Sequence, residues 1–236
     1  MRARPGWRTE ACVPSYEETV NILETELLQI EDVFRGLSDE EWQAPTKLEP
    51  LDEEEPHWTV FELAGHFDIS IGLTRMLIAA QEDGQVGRDR VSFFIFPRIE
   101  VAPVVYGYAF TMVEGKTPSD MPDVLHETFS KTIAESRVTP PETIGSGYYA
   151  LMRLDEFVPS RVVEAVVHGI DLTDALGRDR LATDEAVAIT ADILDELLAR
   201  RTVPGRPADL QSNDWEWIRA ASGRSEHPDP RLPLIG

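Results

Sequence analysis

Residues 157–177 read FVPSRVVEAVVHGIDLTDALG. Wound at about 100° per residue, Val162, Val163, Val166, Val167 and Ile170 form one side of an α-helix. Glu164 and His168, at i and i+4, share the other side. Asp171 lies on nearly the same line, and Arg161 begins it. The pattern predicts a helix from about Ser160 to Leu176, ended by Gly177. Periodicity alone describes a core-facing valine stripe opposite a solvated polar stripe, and a lone glutamate–histidine pair on a helix is usually such a rung. The rest of the chain has to decide whether this pair does anything more.

Other stretches have the same period. Val20, Leu23, Leu27, Ile30 and Phe34 predict a helix over 16–37, and Ser38 with Glu41 supplies a capping box for a short turn after it. A proline- and acid-rich loop, PTKLEPLDEEEP (45–56), leads to a second helix from Thr59 to about Ala80, with Thr59 and Glu62 as its capping box. Leu63, His66, Ile69, Ser70, Leu73 and Leu77 form its expected buried stripe, while Asp68 and Arg75 point the other way and are expected in solvent. A third helix is expected over about 119–136, carrying His126. Further helices follow at about 184–200 and in NDWEWIRAAS (213–222), before a tail rich in glycine and proline. No alternation of period two stands out. The fold class expected is all-α: an antiparallel four-helix bundle with extra C-terminal helices. Its organisation is a flexible segment over 1–15, the bundle over 16–177, and a helical extension with an irregular tail over 178–236.

Composition narrows the partners. Formal net charge is −21, from 43 acidic and 22 basic residues, and no basic stripe appears. Such a surface repels phosphate backbones, which argues against nucleic acid and anionic membranes as partners. The long apolar segment at 91–113 is broken by Pro97, Arg98, Glu100 and Pro103, so it reads as core or cavity wall rather than a membrane span. The N-terminal residues lack the apolar stretch of a secretory signal. One cysteine, Cys12, cannot form an internal disulfide, which fits a reducing cytoplasm.

A histidine on an apolar helix face is usually a satisfied core residue. His66, however, adds an imidazole from a second helix to the Glu164–His168 pair. Two imidazoles and a carboxylate leave one position of a tetrahedral zinc open, as catalytic sites do. The segments HWTVFELAGHF (57–67) and RVVEAVVHGIDLTDALG (161–177) also resemble the two signatures of the mycothiol-dependent maleylpyruvate isomerase family, within the DinB-like metal-binding bundles. The tail HPDPRLPLIG (227–236) has a similar character.

This resemblance implies that His66, Glu164 and His168 bind a divalent metal, zinc foremost. It further implies that mycothiol binds there as a thiolate and attacks a small electrophilic substrate, in isomerisation, conjugation or transfer. Asp171 is then the candidate to orient a ligand or water, against the alternative of a surface aspartate. Two departures from the family stand out: His57 replaces a glycine, and 178–236 lacks the strand pattern of the isomerase's α/β C-terminal domain. Substrate contacts from that domain do not carry over. A metal-dependent hydrolase with the same ligands, and a non-catalytic bundle, are the rival expectations.

Overall fold

The long helices begin where side chains satisfy their first amides. In this computed structural model, which describes residues 14–48, 50, 56–96, 98–147 and 150–235, helix α1 spans Tyr16–Arg35, with Ser15 and Glu18 forming a capping box. The Ser38–Glu41 box starts the single turn α2 (Asp39–Trp42), and the Thr59–Glu62 box starts α3 (Val60–Ala79). Next come α4 (Arg98–Val113), α5 (Met121–Val138), α6 (Leu154–Leu176), α7 (Asp184–Arg201) and α8 (Asp214–Ala221). Cys12, Pro97 and part of the 45–56 loop lie outside the described residues.

Helices α1, α5, α3 and α6 pack in that cyclic order and make the all-α bundle. Cross-helix pairs fix their senses. The Tyr16 hydroxyl donates to the Ser136 carbonyl at 2.9 Å and Arg35 pairs with Asp123 at 3.2 Å, so α1 and α5 are antiparallel. His66 and Ser70 lie against His168 and Arg161 respectively, so α3 and α6 are antiparallel too. Asp68 meets Thr128 and Arg75 meets Glu135, so α3 and α5 run in the same direction. That parallel pair needs a return crossing, and α4 provides it. The segment at 91–113, read from sequence as core or cavity wall, is largely helical despite Pro103, and packs on α3. Gly65 makes the approach possible, because a Cβ there would lie 2.6 Å from the Ala109 carbonyl oxygen. Among the described residues, no helix is long and apolar enough to cross a membrane.

Helix α6 departs from expectation in two ways. It starts at Leu154, six residues before Ser160, with Pro159 inside it. Pro159 is the sixth residue and forfeits only one helical hydrogen bond, since the first four amides have no helical acceptor in any case. A two-stranded hairpin, β1 (Ile144–Ser146) and β2 (Leu151–Arg153), is also present where no strand was expected. The chain just before it satisfies two of those amides: Leu154 N–H donates to Thr143 O and Asp155 N–H to Pro141 O. At the other end Gly177 adopts φ 62°, the left-handed cap that the sequence predicts.

The second departure is burial. Helix α6 touches α1, α3, α7 and α8. The valine stripe is buried, but so are Arg161 and Asp171. The stripe read as solvated faces the interior. Asp68 is a similar correction: it is buried against Thr128, because α5 covers the side of α3 drawn as solvent-facing. Arg75 on the same side is partly buried in its pair with Glu135.

Burial pushes the Asp68 carboxyl above its ordinary value of 3.8, with the Thr128 hydroxyl opposing. A raised folded-state pKa means stability is complete below the unfolded value and is lost as pH rises through the folded one. Asp68→Asn keeps an acceptor for Thr128 and removes that loss. Its urea midpoint should exceed the wild-type midpoint at neutral pH and converge on it below about pH 3.8. A lower midpoint at neutral pH would contradict this account.

Candidate metal centre

The capping box of α3 sets His66 in its second turn, facing α6. On α6, Glu164 and His168 share a face one turn apart and meet it. His66 Nε2 lies 3.5 Å from Glu164 Oε2, and His168 Nε2 lies 3.4 Å from the same oxygen. The two imidazole centroids are 4.2 Å apart. One donor atom from each of the three residues lies within 4.8 Å of the others, so the group can hold a metal ion. The three residues singled out from sequence do converge.

Tautomers follow from the neighbours. Arg224 grips both oxygens of Asp171, at 2.9 and 2.7 Å, and holds its carboxyl far below the usual range against the opposing effect of burial. Asp171 is therefore an acceptor, and His168 Nδ1, 2.8 Å away, is the donor. In the neutral ring Nε2 then carries a lone pair that faces the Glu164 carboxylate. Two acceptors 3.4 Å apart need a cation or a proton between them. The proton is one solution: burial works against charge on His168, but Asp171 and Glu164 outweigh it and raise its pKa. A metal ion is the other.

His66 argues for the ion. Among the described residues both its ring nitrogens are buried without a hydrogen-bond partner, which is uncommon for core histidines. Burial, reinforced by His168, lowers its pKa to about 4, so the ring is neutral near pH 7 and Nε2 or Nδ1 is free to ligate. Burial alone would raise the Glu164 pKa, yet His168, His66 and Arg161 bring it well below its ordinary value, so it is a carboxylate. Donors about 2.0–2.1 Å from a tetrahedral zinc stand about 3.3–3.4 Å from one another. The two separations to Glu164 match that spacing, and the residues present fit the group.

Aromatic rings wall the site. Trp58 lies 5.1 Å from His66, Tyr106 of α4 stacks on Trp58, and Phe67 meets His168 edge-on. Arg161 is wholly buried between the Phe93 and Phe157 rings, donates to Ser70 O at 2.8 Å, and comes to 3.9 Å from Glu164. Side-chain exposure is 6% for His66 but 17% for Glu164 and 14% for His168, so what access there is lies on the α6 side.

Sequence reasoning missed two residues here. Arg161 was visible, one turn before Glu164, but was not counted among the site residues. Arg224 had no signal, since it lies 53 positions from Asp171 in the tail. His57 is exposed. His126 pairs with Glu31 and His227 with Asp209, both away from the site.

No family model, curated protein or solved structure matches the chain. The assignment of the site rests on its geometry. Free zinc at about a hundred times its Kd should stabilise the fold by about 2.7 kcal/mol, seen as a higher melting temperature that a chelator reverses. Glu164→Ala and His66→Ala should lose the shift. A shift that survives both changes would place the ion elsewhere.

Proposed function

We propose that this protein is a metal-dependent enzyme that uses a low-molecular-weight thiol, mycothiol by the resemblance of segments 57–67 and 161–177, against a small electrophilic substrate. His66, Glu164 and His168 are the ligands, and zinc is the first candidate metal. The observation that carries the reading is the meeting of three metal-competent donors, one buried and two partly buried, with His66 having no hydrogen-bond partner among the described residues. Two imidazoles and one carboxylate leave an open coordination position, as catalytic rather than structural zinc does. When bound, zinc lowers the pKa of a thiol and keeps it as thiolate at neutral pH.

The surrounding residues favour an anion in that position. Glu164 and Asp171 are balanced in charge by Arg161 and Arg224. A divalent ion added to this set leaves its full charge uncompensated in a largely buried setting, where charge is costly. An anionic ligand such as a thiolate relieves it. Trp58, Phe67 and Tyr106 exclude water from the His66 side, and Asp171 keeps His168 in the ligating tautomer. Isomerisation, conjugation and thiol transfer all begin from the same addition of thiolate to the electrophile.

Calorimetry with mycothiol on zinc-loaded and zinc-free protein tests the reading. Binding should require the metal and be lost in Glu164→Ala, and the cobalt-substituted protein should gain thiolate charge-transfer absorption on adding the thiol. A loaded protein that ignores mycothiol yet hydrolyses esters or amides would replace this proposal with metal-dependent hydrolysis.

A further inference from the structure

The segment after α8 reaches back into the site. Arg224 spends all three guanidinium nitrogens in fixed contacts: Nε to Asp171 Oδ1 at 2.9 Å, Nη2 to Asp171 Oδ2 at 2.7 Å, and Nη1 to the Ser222 carbonyl at 2.6 Å. Its own backbone is held as well. Arg224 N–H donates to Arg219 O at 2.7 Å, and Arg219 Nη2 donates back to Arg224 O at 3.1 Å. Farther on, the amides of Leu234 and Ile235 both donate to Ala221 O, pinning the tail beneath the end of α8. Arg219 meanwhile grips Asp174, one turn beyond Asp171 on α6, at 3.1 and 2.9 Å. Two arginines thus hold two aspartates of the same helix, and only one of those aspartates touches a ligand.

We propose that Arg224 is a positioning residue of the metal centre, locking Asp171 as the acceptor of the His168 Nδ1 proton so that Nε2 faces Glu164 and His66. The inference rests on reading those three residues as the ligands. Its physical basis is the shared oxygen: Asp171 Oδ2 accepts from both His168 Nδ1 and Arg224 Nη2. Asp171 is buried, and without the guanidinium its carboxylate would be an uncompensated interior charge. It would turn away from the His168 ring, and the His168 tautomer would no longer be specified. The extension over 178–235 is in that case part of the site rather than an appendage to the bundle.

Two readouts test this, the tautomer of His168 by long-range proton–nitrogen NMR of the zinc-free protein at a pH where the ring is neutral, and zinc affinity by chelator competition. Arg224→Gln should lose the Nδ1–H signature and bind zinc about tenfold more weakly, the usual scale for a partner of a ligating histidine. Arg224→Lys keeps the charge without the fork, and should fall between that variant and wild type. Asp174→Asn breaks the neighbouring pair, which does not touch His168. It should lower the unfolding midpoint while leaving tautomer and affinity unchanged.

A folded Arg224→Gln or Arg224→Lys with wild-type tautomer and affinity overturns the proposal. So does an Asp174→Asn variant that loses as much affinity as Arg224→Gln, which would indicate general docking of α8 instead. If wild type binds no zinc, the metal reading fails on its own, and the His168 tautomer still decides the role of Arg224.

Discussion

Glu164 is an ionised carboxylate set between two helices of a packed bundle, and such a group survives only with cations or donors around it. The environment of α6 answers that demand. Arg161, three residues earlier, brings a guanidinium to 3.9 Å, itself stabilised on the faces of Phe93 and Phe157 and by the Ser70 carbonyl. His168, four residues later, and His66 from α3 bring imidazole nitrogens to 3.4 and 3.5 Å. Asp171 then carries the charge problem one step outward, to Arg224 in the tail. Glu164 is answered from its own helix by Arg161 and from α3 by His66, and Asp171 from the tail by Arg224, so the site and the packing of α6 are a single problem.

This dependence explains which parts were legible in the sequence. Caps were legible because they are local: Ser38 with Glu41 and Thr59 with Glu62 act within one turn, and both boxes stand as read. His66, Glu164 and His168 were legible because helical spacing and two short signatures isolate them. Periodicity alone, however, draws the polar stripe of α6 as solvated. A helical wheel assumes one buried face, whereas Arg161, Glu164 and His168 meet α3 and Asp171 meets Arg224 in the tail. Asp68 was misplaced for the same reason, with α5 as the unseen neighbour. Helix α4 was hidden by its prolines and glycines, and by an apolar composition with no polar face for a period to show. Arg224 was out of reach for any local rule, because its partner is set by how the tail returns over α6.

The three donors are not held equally. Glu164 is set by Arg161 and His168 by the Asp171–Arg224 chain, both through charged hydrogen bonds or close ion pairs. His66 is set only by packing, with Trp58 over its ring, Tyr106 behind Trp58 and both nitrogens free. The proton balance is unequal as well. Burial keeps protons off His66, so nothing competes for its lone pair near neutral pH, while on His168 the two carboxylates favour a proton on the nitrogen that faces Glu164. A cation held by these residues would take the place of a proton on the α6 side and find a neutral donor on the α3 side. The two helices make different contributions: α6 supplies charge and orientation, and α3 supplies a neutral donor whose ring is fixed by shape. Because α3 is held by its cap and by α4 pressed against Gly65, the distance between the two halves is set by helix packing, without any hydrogen bond to His66.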